Sequence, residues 1–246
     1  MELGLVGRTF IATGGSRGLG YATAAALVDE GAQVVLSARD EAGVAAAGRL
    51  GCQGVAADLA DPETPARLIE AAVSAYGGVD GALVSVGGPP AGPTLALTDE
   101  QWRASFDSVF LGALRMCRAV VEALPESGGA LALVLSTSVK SPVGGLAASN
   151  GLRPGLGMLA KTMADELGPR GVRVNALLPG RIDTDRVREL DGDDPSVRER
   201  AEAGIPLRRY GRPEEFGRVA AFLLSPAASY VTGSMVPVEG GALRAL

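Results

Sequence analysis

Histidine is absent from this chain. Without it no Ser-His-Asp triad can form and no metal can be held by imidazole. Lysine is nearly absent: Lys140 and Lys161 stand against twenty-one arginines. There are two cysteines, Cys52 and Cys117. They make neither a metal-binding spacing nor a disulfide framework, so no metal site is expected. They read as buried free thiols of a cytoplasmic protein. Aromatic residues amount to 4%, and no basic stripe carries interleaved aromatics, which argues against a nucleic-acid partner. No apolar run approaches the ~18 residues that a membrane helix needs. The start, Met1-Glu2-Leu3-Gly4, lacks the basic-then-apolar layout of a signal peptide.

Apolar residues make up 47% and charged residues 21%, with a net charge of −5 from mixed signs. That composition belongs to a globular chain and not a disordered one. The 246 residues suffice for one large α/β domain with a full core. No linker-like shift or internal repeat divides them, so residues 1–246 read as a single domain.

Residues 13–20 read Thr13-Gly14-Gly15-Ser16-Arg17-Gly18-Leu19-Gly20. The apolar run Phe10-Ile11-Ala12 precedes them and the Ala-rich stretch Tyr21 to Glu30 follows. That is strand, glycine turn, helix. The glycines permit a tight turn and a close approach of backbone to ligand. The helix start would aim free N–H groups and a positive dipole end at a phosphate. The next apolar run, Val34-Val35-Leu36, falls where the second strand of a βαβ unit belongs. Nucleotide binding is the expectation.

The alternation continues down the chain. Apolar runs predict strands at 9–12, 33–37, 53–56, 81–85, 130–136, 172–178 and 235–238. Helices are expected at 19–30, 41–50, 63–76, 99–123, 153–168 and 214–224. Regular β-α alternation with strands apolar throughout predicts a doubly wound parallel sheet of about seven strands, covered by helices on both faces. Ligands of such sheets bind at the C-terminal strand ends. After the second strand come Ala38 and Arg39, where an acid would favour NAD and repel a 2′-phosphate. Arg39 and Arg17 suit a phosphate; solvated surface arginines are the other reading. After the third strand, Asp58-Leu59 is placed either to accept from an adenine amino group or to cap the next helix. After the fourth, Gly87 opens a Gly/Pro-rich loop that either walls the crevice or only turns the chain.

These features together resemble the short-chain dehydrogenase/reductase family, in its compact single-domain form. The Thr-Gly-x-x-x-Gly-x-Gly loop at 13–20 and Asp58 carry the resemblance. So do Arg173-Val174-Asn175-Ala176-Leu177-Leu178-Pro179-Gly180, with Ile182 and Thr184, and Tyr230-Val231-Thr232-Gly233 through Glu239-Gly240-Gly241. Within it, the chain resembles bacterial 3-oxoacyl-acyl-carrier-protein reductases. The resemblance implies a Rossmann fold, NADP(H) preferred over NAD(H), a carbonyl or alcohol substrate, and a homo-tetramer or dimer. It implies that Thr13, Gly14, Ser16, Arg17, Gly18, Leu19, Gly20, Arg39, Asp58, Leu59 and Gly87 bind the cofactor. Pro179, Gly180, Ile182 and Thr184 would hold its nicotinamide end.

The family's catalytic Asn, Ser, Tyr and Lys are mostly replaced. Counting back from Val174-Asn175 puts the Tyr position at Ser149 and the Lys position at Arg153. The Ser position is Ser136, and the Asn position, seven residues after Trp102, is Val109. Ser149 is a poor general acid, and Arg153 is permanently cationic, fit to hold a ribose or an oxyanion. None of the four tyrosines is a convincing replacement. Lys140, four residues past Ser136, is the remaining proton donor if it is desolvated; otherwise it points into water. Pro154 is tolerated only in a first helical turn, so the helix is expected to start near 153 and to displace Ser149 and Arg153. Residues 185–212 are rich in both charges and lie where the family keeps its substrate lid. An acidic substrate held by one of their arginines is one option, a solvated helix pair the other. Two functions follow: an NADP(H)-dependent oxidoreductase with non-standard proton transfer, or a non-catalytic NADP(H)-binding sensor or assembly protein on the same fold. Apolar Phe216 to Leu224 and Val231 to Leu246 are the expected subunit contacts.

Overall fold

A computed structural model describes residues 2–244. Seven strands form one parallel sheet in the order β3-β2-β1-β4-β5-β6-β7. They are β1 Thr9–Ala12, β2 Gln33–Ala38, β3 Gln53–Ala56, β4 Gly81–Ser85, β5 Gly129–Val134, β6 Val172–Pro179 and β7 Met235–Val238. The chain winds outward from β1 through β2 to β3, then returns to place β4 on the other side of β1. That reversal opens a crevice at the C-terminal strand ends.

Strand residues alternate between two cores. Ile11, Val84, Leu131 and Leu133 face one layer with Leu68, Met116 and Leu156. Phe10, Ala12 and Leu83 face the other with Leu27 and Phe216. This period of two, with both faces buried, is why the strand runs are apolar throughout. Helices α3 Thr64–Tyr76, α5 Gly112–Ala123 and α6 Ala147–Leu167 cover the first face. Helices α1 Gly18–Asp29, α2 Glu41–Arg49 and α9 Pro213–Leu224 cover the second. Helices α7 Asp185–Asp191 and α8 Pro195–Gly204 follow β6.

Two expectations are corrected. The helix expected at 153–168 begins earlier, at Ala147, and carries Pro154 in its interior. Tertiary packing of Ala148, Leu156 and Ala160, all nearly fully buried, overrides the local cost of the proline. The span 99–123 is not one α-helix: α4 Asp99–Ser105 passes through a π-turn, Phe106–Leu111, into α5. Of the run Phe216 to Leu224, expected at subunit contacts, the side made by Phe216, Ala220, Leu223 and Leu224 is buried inside the protomer, where α9 packs on α1, and Val219 and Phe222 remain half-buried. The final pair of the expected tail contact, Ala245 and Leu246, lies outside the described residues.

Candidate active site

The crevice is a cleft of about 660 Å³ at the C-terminal strand ends. Its floor near β1 is the glycine loop. Gly14 and Gly18 both have φ of +64°, a region that glycine adopts without strain. A Cβ at Gly20 would stand 2.4 Å from the Gly14 carbonyl, so α1 could not start so close to the turn with a side chain there. Arg17, at the N-cap of α1, makes no capping hydrogen bond, and the first turn holds no acid. The first-turn N–H groups are therefore left for an outside anion. Ser16, Arg17 and Leu19 line the cleft with Gly14. Thr13, Gly18 and Gly20 do not. Thr13 is fully buried; its Oγ1 donates to the Ser85 carbonyl at 2.8 Å and accepts from the Ser85 N–H at 2.8 Å. It ties β1 to β4 beneath the loop rather than meeting a ligand.

At the end of β2, Arg39 is exposed and faces the cleft. The neighbouring acid, Asp40, is engaged as the N-cap of α2, its Oδ1 accepting from the Gly43 N–H at 2.7 Å. Arg17 differs from Arg39. It donates to Asp185 at 3.0 Å and lies 3.6 Å from Glu189, which fastens the glycine loop to α7. Asp58 is not the cap of α3; Glu63 holds that position. Asp58 instead closes a turn, Oδ1 accepting from the Ala60 N–H at 2.9 Å, and with Leu59 it borders the cleft.

The β4 loop contributes Ser85, Gly87, Gly88 and Pro89. Across from it stands Arg186 of α7, whose Nη2 donates to the Pro89 carbonyl at 3.0 Å. A Cβ at Gly88 would approach Arg186 Nε to 2.9 Å, so glycine makes room for the guanidinium. Pro179, Gly180, Ile182 and Thr184 complete that wall; Thr184 also caps α7, its Oγ1 accepting from the Val187 N–H.

The chemistry-bearing residues gather at the end of β5. Ser136, Ser149 and Arg153 all line the cleft. Ser136 Oγ accepts from the Ser138 N–H at 3.1 Å and so caps the 3₁₀ turn Thr137–Val139. Ser138 and Ser149 are both buried, their hydroxyls 3.2 Å apart. The early start of α6 puts residues 149 and 153 one turn apart on one face. Arg153 is 7% exposed, and its Nη1 donates to the carbonyls of Val134 at 2.8 Å and Leu135 at 3.0 Å. Burial first, and the charge of Arg186 second, pull its pKa down to about 10.

Lys140 is not brought into the site. It follows the 3₁₀ turn, which carries the chain outward, and it is exposed away from the cleft. Val109 is 1% exposed, inside the π-turn and packed in the core. None of the four tyrosines lines the cleft. Tyr210 is the most enclosed, donating to Asp191 at 2.8 Å, and burial pushes its pKa up to about 12. Sequence reasoning missed Ser138, whose signal was its place two residues after Ser136 in Ser-Thr-Ser. It also left Arg186 among the charged residues of the expected lid.

Comparison with known proteins agrees with this architecture. A family model described as enoyl-(acyl carrier protein) reductase matches residues 14–242. An L-rhamnose 1-dehydrogenase (NAD(P)(+)) of Azotobacter vinelandii is 35% identical over 249 residues, covering 96% of this chain and 97% of the relative. Human dehydrogenase/reductase SDR family member 4 is 35% identical over 246 residues, covering 96% of this chain and 88% of the relative. The crystal structure of L-sorbose reductase from Gluconobacter frateurii, complexed with NADPH and L-sorbose, superposes with a TM-score of 0.92 at 29% identity, covering both chains fully. A seven-stranded parallel sheet, the glycine loop beneath its switch-point cleft and a family match from residue 14 to 242 lead to one conclusion: the chain belongs to the short-chain dehydrogenase/reductase family of oxidoreductases.

Proposed function

We propose that this protein is an NADP(H)-dependent oxidoreductase that interconverts a carbonyl and an alcohol with a proton transfer unlike the family's usual one. The carrying observation is the exposed Arg39 at the cleft edge, with its neighbouring acid, Asp40, turned away as a helix cap. The residues present fit a dinucleotide. The uncapped first turn of α1 and the Gly14–Leu19 backbone would hold its diphosphate, Arg39 a 2′-phosphate, and Asp58 the adenine amino group. Gly87, Pro179, Gly180, Ile182 and Thr184 would flank the nicotinamide, and Arg153 would donate to its ribose. When bound, that group supplies or accepts the hydride.

The chain's own part is at the substrate oxygen. Ser136 and Ser149 donate hydrogen bonds to it, and Arg153 favours negative charge there. Neither hydroxyl ionises near neutrality, so the Ser149–Ser138 pair passes a proton from water rather than acting as a strong acid. Lys140, outside the cleft, takes no part. The α7–α8 segment, within residues 185–212, serves as the substrate lid, tied to the glycine loop through Arg17. Free Cys52 and Cys117 fit a reducing, cytoplasmic setting.

Titration of NADPH and NADH against wild type and Arg39→Ala tests the cofactor reading. NADPH should bind more tightly, by roughly 1.5–3 kcal/mol, and Arg39→Ala should erase the preference. Equal affinities in the wild type refute it. A screen of ketones, sugars and a 3-oxoacyl thioester, followed by NADPH absorbance, tests turnover. Ser149, Arg153 and Val109 at three catalytic positions favour a second reading, a non-catalytic NADP(H)-binding sensor or assembly protein. It is distinguished by tight NADPH binding without turnover of any carbonyl compound.

A further inference from the structure

Arg153 is a buried cation without a counter-charge. No carboxylate lies within ion-pair distance of it among the described residues, and its hydrogen bonds run only from Nη1 to two backbone carbonyls. Every fully buried side-chain nitrogen or oxygen in the described residues has a hydrogen-bond partner. Nε and Nη2 of Arg153 make none, so both remain reachable from the cleft that Arg153 lines. A second cation faces the same space. Arg186 reaches over Gly88 and Pro89, and its nearest carboxylate, Glu189, is 3.9 Å away, beyond hydrogen-bond distance. Glu189 is also shared with Arg17 at 3.6 Å. The two guanidinium groups thus repel each other, Arg186 being the second cause of the depressed Arg153 pKa, and Glu189, which also lines the cleft, is divided between Arg186 and Arg17.

Such an arrangement is costly unless an anion enters from outside. On the oxidoreductase reading above, on which this inference rests, the cofactor's phosphates go to α1 and Arg39. The anion at the end of β5 is then the substrate's. We propose that the cleft takes a short oxo acid, or the matching hydroxy acid, whose carboxylate bridges Arg153 and Arg186 while its carbonyl oxygen meets Ser136 and Ser149. Reduction gives the carbon one hydride and the oxygen one proton, as NADPH becomes NADP⁺. Guanidinium forks match a carboxylate's two oxygens, and neutral sugars or ketones offer no such partner.

The test uses 2-oxobutanoate and 3-oxobutanoate, each beside its methyl ester, titrated calorimetrically into NADPH-saturated protein at low salt. At least one acid should bind tenfold or more tightly than its ester, in line with charged hydrogen bonds. Arg186→Gln should lose most of that preference, with its melting curve showing that it still folds. Equal binding of both acids and their esters overturns the proposal. So does a preference that survives in Arg186→Gln, or inorganic phosphate binding more tightly than either acid. NADPH fluorescence in the same samples separates the two readings. If NADPH fails to bind, the cofactor reading falls, and the comparison of acid with ester on cofactor-free protein still decides the anion site.

Discussion

Arg153 is the one charged side chain that is buried among the described residues, at 7% exposure. Its pKa of about 10 lies below the ordinary arginine value, so the folded chain holds that proton less tightly than the unfolded chain. Both states are protonated at neutral pH, so the burial penalty is constant there and is relieved only as pH rises past about 10. Arg153→Met is therefore expected to raise stability at pH 7 by about 1–3 kcal/mol in urea unfolding, as other buried charges do when replaced by apolar groups. The gain should be flat from about pH 6 to pH 9. A loss would show that the bonds to Val134 and Leu135 outweigh desolvation. Because α6 starts at Ala147, residues 149 and 153 lie one turn apart on the same helix. Ser149→Tyr with Arg153→Lys should then raise carbonyl reduction by ~10²-fold or more, the usual worth of a placed general acid. An unchanged rate would mean that the new phenol does not reach the substrate oxygen.

At the scale of elements, α9 depends on one carboxylate. Glu215 accepts from Arg209 Nη2 at 2.7 Å, Arg209 Nη1 at 2.8 Å and the Arg212 N–H at 2.7 Å. These contacts, the Arg209 bonds foremost, hold its pKa down to about 2. A lowered folded pKa stabilises the fold above the unfolded value, near 4.5, and that stability drains as pH falls toward 2. Glu215→Gln should cost about 1 kcal/mol at pH 7, as loss of an N-terminal partner does, and should flatten acid unfolding between about pH 5 and pH 2. An unaltered acid limb in thermal melts would show that the contact is inert. Most elements were legible because their signals are local: alternating or continuous apolar runs, glycine breaks and caps. The π-turn at Phe106–Leu111 was not. The run through 99–123 has uninterrupted helical spacing, and an extra residue in one turn leaves no mark in composition. The start of α6 was misread because Pro154 is a strong local stop that packing overrode.

For the whole molecule, NADPH at about a hundredfold its dissociation constant should add ~2.7 kcal/mol to stability, a shift readable in a melting scan. Assembly is a separate matter. Phe216, Ala220, Leu223 and Leu224 are inside the protomer, while Val219, Phe222 and the β7 residues Met235, Val236 and Val238 are half-buried. Met158 on α6 is 66% exposed, and Phe106, stacked on Phe110 with centroids 5.0 Å apart, is 42% exposed. We expect a dimer or tetramer built on this face, with β7 as an open sheet edge. Light scattering should give a multiple of the protomer mass at micromolar concentration, and Phe106→Glu with Met158→Glu should reduce it. A monomeric wild type would refute the assembly.

The sequence alone determined the sheet, its helices and the glycine loop. Those rest on periodicity and on what glycine permits within a few residues, and both are written locally. It also led to the expectation that Ser149 and Arg153 stand at the family's tyrosine and lysine positions. Only the tertiary structure decided where the cations stand. Lys140 and Ser136 are four residues apart, yet a 3₁₀ turn sends one to the surface and leaves the other at the cleft. Arg153 and Arg186 come from separate elements and meet across one cleft because β6 and α7 return the chain there. A side chain's charge is fixed by its residue type, but the carboxylates near it, and the water it loses, are fixed by packing between distant segments.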